Sequence, residues 1–363
     1  MNRNFLRTAA PLAVAVTLAL GLSACGAANE EPSKGSASGL SGTLNAGGAS
    51  SQESAVAAWK KSFQTENPET TINYDPVGSG GGREQFIAGG LNLAGSDAYL
   101  DDEELAKAKT QCKSDVVEVP VYVSPIAVVF NLPGVKDLNL TPEVLGGIFQ
   151  GKIKTWDDAA IKADNPDAKL PSSAIAPVHR SDDSGTTENF TDYLDQASGG
   201  SWTGGSDKVW PIKSGEAAEG TSGVVSAVSN GEGTIGYADA SQAGDLSVAK
   251  VKVGDKFAAY TPEAASKVLD ASKPVEGRDA TDIAIDVDRK LTADGVYPIV
   301  LVSYQIACEK YADKAQAELV KSWLTYVASE EGQATAAKDA GAAPISAELS
   351  EKVNAAIETI SAS

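Results

Sequence analysis

Strand-like and helix-like stretches alternate along the chain from about residue 40. Leu40-Ser41-Gly42-Thr43-Leu44-Asn45-Ala46-Gly47-Gly48 reads as a short strand entering a glycine loop. Ala55, Val56, Trp59, Ser62 and Phe63 then recur at helical spacing, and Asn67-Pro68 is predicted to stop that helix. Thr71-Ile72-Asn73-Tyr74-Asp75 is a second strand. Gly78-Ser79-Gly80-Gly81-Gly82 is a loop opening a helix that bears Phe86 and Ile87, and Leu91 to Asp97 is again strand, then loop. This βαβα order predicts α/β lobes with largely parallel sheets. Two valine-rich segments break the rhythm: Val116 to Phe130, with Pro120 and Pro125, and Val296 to Ala307, with Pro298. Two such extended segments, far apart in sequence, suit a pair of crossover strands between lobes. The helical stretch from Ala315 to Ala328 would return to the first lobe.

The N-terminus has a different character. Arg3 and Arg7 precede an apolar run, Pro11 to Leu22, that is short for a membrane span. The run ends in Leu22-Ser23-Ala24-Cys25-Gly26, the lipobox pattern of bacterial lipoproteins. Residues 1–24 therefore read as a signal peptide, Cys25 as the lipidated residue, and 25–40 as a flexible tether rich in Gly, Ser and Ala. The remaining residues, about 320, are natural for two lobes. The predicted division is 41–120 plus 300–363 for lobe I and 121–299 for lobe II. The expected location is the outer face of the cytoplasmic membrane, reached by secretion and held there by lipid.

Charge and residue counts remove several functions. The formal net charge is −19, with a single histidine and three cysteines. An acidic surface of this kind argues against nucleic acid as a partner. It leaves a small anion open, because an anion site works through short-range hydrogen bonds and local dipoles. Metal catalysis lacks ligands: His179 is the sole histidine, with no Cys/His cluster, so no metal and no cofactor is expected. With Cys25 lipidated, Cys112 and Cys308 remain as an even pair in an oxidising compartment. A disulfide between them is expected, two separate buried thiols being the alternative.

Four loops share small residues, a hydroxyl and the start of a helix. They are Gly48-Ala49-Ser50-Ser51, Gly78-Ser79-Gly80-Gly81-Gly82, Ser184-Gly185-Thr186-Thr187 and, more weakly, Gly220-Thr221-Ser222-Gly223. A helix start presents unpaired N–H groups and the positive end of the dipole, and Ser or Thr adds an O–H donor. Any one of them is explained by a plain N-cap; several together, with Arg180 nearby, point to an oxyanion. A guanidinium is the usual bidentate partner of such a ligand, and Asp182 stands ready to pair with it. Asp97 is the oddity. A carboxylate helps an anion site only where the ligand still carries a proton to donate, as phosphate does near neutral pH and sulfate does not. The bland reading of Asp97 is a helix cap, a role open also to Asp101 and Asp102.

The runs Ser79-Gly80-Gly81-Gly82, Ala94-Gly95-Ser96-Asp97, Gly151-Lys152-Ile153-Lys154-Thr155-Trp156-Asp157-Asp158, His179 to Thr186 and Gly233-Thr234-Ile235-Gly236-Tyr237 follow one another in an order that resembles the phosphate-binding protein of the phosphate-specific ABC transporter. The resemblance covers about residue 41 to the C-terminus. It implies the type II periplasmic-binding-protein fold, an α/β architecture of two lobes joined by two crossover strands and closing over dehydrated phosphate. It implies contacts to phosphate at Ser50, Ser51, Ser79, Asp97, Arg180, Ser184, Gly185 and Thr186, with Asp182 as the partner of the arginine. It also implies the membrane permease subunits of an importer as partners, and the chain is expected to act as a monomer. One departure stands out. The family's first loop often reads Thr-Phe-Pro where this chain has Ser50-Ser51-Gln52, a change with which backbone donation from Ser51 is compatible.

Rival functions are the same fold binding sulfate or molybdate, a secreted hydrolase, and a surface adhesin or sensor. A hydrolase would need a triad built on His179, and no Gly-x-Ser-x-Gly elbow occurs. No catalytic residue is expected.

Overall fold

The computed structural model describes residues 39–363. The signal segment, Cys25 and nearly all of the expected tether lie outside the described residues. Strand β1 (Gly42–Gly48) pairs in parallel with β2 (Thr70–Asp75) on one side and with β3 (Leu93–Ser96) on the other. Helix α1 (Glu53–Glu66) joins β1 to β2 and buries Ala55, Val56, Trp59 and Phe63, the face its spacing predicts. Asn67 ends the helix, as expected. Helix α2 (Ser79–Ile87) joins β2 to β3, and α3 (Asp102–Cys112) follows. Asp101 caps α3 through a reciprocal pair with Glu104, so Asp97 is released from that duty.

The expected glycine loop at 78–82 is instead largely helical. Gly80, Gly81 and Gly82 sit inside the first turn of α2. Glycine is needed there for approach rather than for bending. A Cβ on Gly82 would lie 2.5 Å from Gly48 Cα, so any side chain would push α2 away from the end of β1.

Strand β4 (Val116–Asn131) is the longest element of the sheet, and every residue but its last is buried. Its first part pairs antiparallel with the return strand Val300–Cys308, from Val116↔Cys308 to Pro125↔Val300. Its second part pairs antiparallel with strand Thr234–Asp239. The return strand in turn pairs antiparallel with β3. The result is one nine-stranded sheet. Its order is β2, β1, β3, the return strand, β4, Thr234–Asp239, Ala176–Arg180 and Glu216–Ala218, with Ser247–Val248 added beside β4. Largely parallel pairing therefore holds only in the two flanks. The centre is antiparallel because the two long strands cross between the flanks in opposite directions. The return strand also begins later than the valine pattern predicts, at Val300 rather than Val296.

The register slips between Ser303 and Tyr304, which face Tyr122 and Pro120 and leave Val121 as an extra residue on β4. Pro120 has no N–H to give the ladder, and a bulge is where a proline fits in a central strand. The C-terminal helices close the first flank. Lys314–Ala328 is helical as predicted, and its Trp323 meets Phe63 of α1 edge-on, with ring centroids 5.4 Å apart. The other flank is held by a ring cluster in which Phe190 stacks on Tyr237 at 4.3 Å and Phe149 meets both. Cys112, at the end of α3, is bonded to Cys308, at the end of the return strand, with a Cα–Cα distance of 5.3 Å.

Candidate functional site

Each parallel strand delivers a polar loop at its carboxyl end, the edge at which open α/β sheets bind ligands. Ser50 and Ser51 form a 3-10 turn after β1. Ser79 opens α2 after β2, and Asp97 follows β3 directly. From the opposite flank, strand Ala176–Arg180 ends on Arg180, and helix Gly185–Ala197 begins at the Ser184 N-cap. Strand Glu216–Ala218 runs into helix Gly220–Asn230, which carries Thr221 in its first turn.

These loops meet. Asp97 is 3 % exposed and Arg180 2 %, so both ionisable groups have left bulk water. Asp97 Oδ1 accepts from Ser51 Oγ at 2.5 Å and from Ser303 Oγ at 2.6 Å, while Oδ2 accepts from Thr186 Oγ1 at 3.1 Å. Burial pushes the Asp97 carboxyl above its ordinary range. The hydroxyls of Ser303, Ser51 and Thr186, together with the Arg180 charge, offset only part of that rise. Ser79 Oγ accepts from the Asp97 N–H at 3.1 Å and so fixes the loop. Gly185 is tight against both, for a Cβ there would lie 2.7 Å from Asp97 Cβ and from Ser79 Oγ.

Arg180 is aimed by Asp182. Its Nε donates to Asp182 Oδ1 at 2.7 Å and Nη2 donates to Asp182 Oδ2, a fork-to-fork pair. Nη1 faces the other way, 3.5 Å from Thr186 Oγ1. Burial raises the Asp182 carboxyl, but the hydrogen bonds and charge of Arg180 outweigh it and hold Asp182 below its usual range. The backbone N–H of Gly220 adds a third donor to Asp182 at 3.1 Å. Ser184 Oγ accepts from Thr187 N and so caps its helix. Ser50 Oγ lies 3.0 Å from Thr221 Oγ1 and accepts from Thr221 N at 3.2 Å.

The chemistry of this arrangement is that of an oxyanion cage. It offers hydroxyl and backbone donors, one guanidinium edge and a single carboxylate acceptor, all removed from solvent. No group of three or more His, Cys, Asp or Glu side chains suited to a metal occurs among the described residues. His179 does not assemble into a triad: its ring stacks on Trp210 at 4.7 Å and its Nδ1 faces the Arg180 carbonyl at 2.8 Å.

A family profile described as a PBP superfamily domain matches residues 32–331. Phosphate-binding protein PstS3 of Mycobacterium bovis is 35% identical over 371 residues, covering 98% of this chain and 99% of that protein. Phosphate-binding protein PstS of Pasteurella multocida is 30% identical and covers 87% of this chain and 90% of its own. The chain belongs to the PstS family of phosphate-binding proteins. Its type II periplasmic-binding-protein fold is shared with solved structures. A high affinity periplasmic phosphate-binding protein, PfluDING, superposes with a TM-score of 0.71 at 24% identity, covering 86% of this chain and 93% of its own. A phosphate binding protein from Stenotrophomonas maltophilia gives 0.69 at 20% identity, covering 87% and 94%.

The loops that carry Ser50, Ser51, Ser79, Asp97, Arg180, Gly185 and Thr186 meet at this one locus, and Ser184 stands at the N-cap beside Gly185. Two neighbours were not singled out. Thr221 stood in the weakest of the four loops. Ser303 is the one serine in the run Val300-Leu301-Val302-Ser303-Tyr304, and its buried position is the only signal that could have drawn attention to it. The departure at Ser50-Ser51-Gln52 also takes on a use. Ser51 reaches Asp97 with its side chain, and Gln52 Nε2 donates to Ser303 Oγ at 2.6 Å.

Proposed function

We propose that this chain captures inorganic phosphate, as HPO₄²⁻ or H₂PO₄⁻, and delivers it to the permease of an ABC importer. The ligand lies between the loops of Ser50, Ser51, Ser79 and Asp97 on one side and those of Arg180, Ser184, Gly185 and Thr186 on the other. The observation that carries the reading is the pairing of one aimed guanidinium with one buried carboxylate in a cage otherwise made of donors. Arg180 Nη1 and the hydroxyl and backbone donors take the anionic oxygens. Asp97 Oδ2, with one hydroxyl donor from Thr186, has room to accept the proton that phosphate still carries. Sulfate has no proton to give, and both it and Asp97 would be left desolvated and repelling.

The same reading divides the chain into lobe I, 41–120 plus 300–363, and lobe II, 121–299, which close over the ligand. It has residues 1–24 removed on secretion and Cys25 lipidated, so that a monomeric body works at the outer face of the cytoplasmic membrane. Among the described residues no helix is long and apolar enough to cross a membrane. No catalytic step is assigned, since His179 is committed to Trp210 and the backbone.

The test is calorimetric titration of phosphate and sulfate into the mature protein and into Asp97→Asn at matched ionic strength. Wild type should bind phosphate tightly and reject sulfate by about 10⁴-fold, the scale reached when a buried polar group is left unpaired. Asp97→Asn should narrow the gap, because an amide can donate to sulfate. Tight sulfate binding by the wild type, or no phosphate binding, would sink the reading.

A further inference from the structure

Asp97 does not stand alone behind the cage. A line of buried polar side chains runs to it from helix Lys314–Ala328. Trp323 Nε1, in helix Lys314–Ala328, donates to Gln305 Oε1 at 3.0 Å, and Gln305 Nε2 lies 3.5 Å from Gln52 Oε1. Gln52 Nε2 donates to the Tyr304 carbonyl at 2.9 Å and to Ser303 Oγ at 2.6 Å. Ser303 then reaches Asp97 Oδ1 at 2.6 Å. Gln52, Ser303 and Gln305 are each 0 % exposed, and Trp323 is 1 % exposed.

The direction of every hydrogen in this line is fixed. An indole N–H only donates, so Gln305 must present its oxygen to Trp323. The Tyr304 carbonyl only accepts, so Gln52 must present its nitrogen to Tyr304, and therefore to Ser303. With one lone pair already occupied, Ser303 has its own hydrogen to place. Asp97 Oδ1 at 2.6 Å takes it in preference to the Ser96 carbonyl at 3.3 Å. The bulge at Ser303/Tyr304 marks the point where the return strand re-aims its side chains, and it falls beside Asp97.

We propose that Ser303, oriented by Gln52, is a specificity-determining residue that holds Asp97 as an ionised acceptor and so maintains the rejection of fully deprotonated oxyanions. This rests on the reading that Asp97 receives the ligand's proton. Buried without its donors, Asp97 would take up a proton itself, and a neutral carboxyl donates as readily as it accepts. A protonated Asp97 would welcome sulfate. Ser303 is among the donors that oppose the desolvation of Asp97. The other groups facing Asp97 are the Arg180 guanidinium with Asp182 on it, Ser51, Thr186, and the phenol of Tyr74 on β2, which is turned to the Ala49 carbonyl. None of these is altered by a change at 303.

The experiment has two arms. In the ligand-free mature protein, the ¹³C carboxyl shift of Asp97 is titrated in wild type, Ser303→Ala, Ser303→Thr and Gln52→Glu. Ser303→Ala should raise the Asp97 titration by about one pH unit, a tenfold change in proton affinity. Ser303→Thr keeps the hydroxyl and should restore the wild-type value. Gln52→Glu keeps the shape, turns the donor to Ser303 into an acceptor and sets a second buried carboxylate one hydroxyl away from Asp97, so it should shift the titration in the same direction as Ser303→Ala and by more. In the second arm, sulfate and phosphate are titrated calorimetrically between pH 5 and 8. Sulfate binding should emerge about one pH unit higher in Ser303→Ala than in wild type, and the phosphate-to-sulfate ratio should fall about tenfold. An unmoved Asp97 titration in Ser303→Ala, or in Gln52→Glu should the alanine variant not fold, overturns the role of Ser303. A moved titration with no phosphate binding by wild type overturns the phosphate reading and leaves the role of Ser303 at Asp97 intact.

Discussion

Thr186 Oγ1 donates to Asp97 Oδ2 across 3.1 Å, although the two residues stand 89 positions apart and come from opposite flanks of the sheet. Similar links flank this one. Ser50 Oγ meets Thr221, and the Gly80 N–H donates to the Asp183 carbonyl at 3.2 Å. The walls of the cleft are thus held to each other by hydrogen bonds, each worth about 1 kcal/mol net, among them Asn189 Nδ2 to the Asp97 carbonyl and Gln242 Nε2 to the Ser50 carbonyl, with the Lys208–Glu104 and Arg83–Asp183 ion pairs beside them. Links that are individually this weak can break when a ligand enters or leaves, which is what a carrier requires.

Opening about the long strands β4 and Val300–Cys308 follows, and small-angle scattering checks it: phosphate should reduce the radius of gyration. Gly185→Ala gives the sharper form. Its Cβ would lie 2.7 Å from Asp97 Cβ and Ser79 Oγ, so the variant should remain ajar with phosphate present. Identical scattering from wild type with and without saturating phosphate would refute the motion.

Arg180 makes the most exposed test of the cage. Its Nε and Nη2 are spent on Asp182, leaving Nη1 for a ligand. Arg180→Ala removes that donor and strands Asp182 in a half-buried site. Phosphate affinity should drop by about 2–5 kcal/mol, the range for losing one partner of a buried charge pair. Arg180→Lys should recover only part, because an ammonium cannot pair with Asp182 and a ligand through one planar fork. An alanine variant with wild-type affinity would remove Arg180 from the site.

Much of this was legible in the chain because each signal was local. Helix α1 declared its buried face through Ala55, Val56, Trp59 and Phe63, and the donor loops declared themselves through glycine beside a hydroxyl. Asp97 was legible by contradiction, as a carboxylate among donors. The antiparallel centre of the sheet was not, because pairing between β4 and Val300–Cys308 joins segments about 180 residues apart, and no local pattern encodes the direction of such a pairing. Ser303 was hidden for a related reason. A serine in an apolar strand looks the same whether it faces a carboxylate or a neighbouring carbonyl, and only the bulge opposite Pro120 and Val121 sets which. The helical state of Gly80 to Gly82 was not legible because three consecutive glycines are poor helix formers. In this fold Gly82 answers to the nearness of the Gly48 backbone, and Gly80 to the nearness of the Asp183 side chain.

The Cys112–Cys308 bond ties the end of α3 to the end of the return strand across a sequence separation of 196. For a loop of that length the chain-entropy argument gives about 5 kcal/mol of stabilisation. Cys112→Ser/Cys308→Ser should therefore melt at lower temperature while keeping its phosphate affinity, since neither sulfur touches the cage. Thiol labelling of the oxidised, unfolded protein lacking Cys25 should find no reactive cysteine. Two labelled thiols would contradict the bond.

Glu188 makes stability depend on pH. It lies in helix Gly185–Ala197, and its Oε2 has no hydrogen-bond partner among the described groups. Burial pushes its carboxyl up to about 7; Arg83 and Lys208 oppose the rise, and Asp183 and Glu104 add to it. In the unfolded chain an ordinary glutamate titrates near 4.3. The folded state therefore holds this proton more tightly than the unfolded state. The associated stability is present below the unfolded value and is lost as pH climbs through about 7. At pH 8 the folded protein must carry a largely desolvated carboxylate, a penalty of up to about 4 kcal/mol for a shift of this size. Glu188→Gln removes the charge and keeps the shape. Its melting temperature should exceed that of wild type at pH 8, and the gap should close as the pH is lowered to 5. A gap that stays constant from pH 5 to 8 would mean that the substitution acts through packing, and that Glu188 does not titrate in this window.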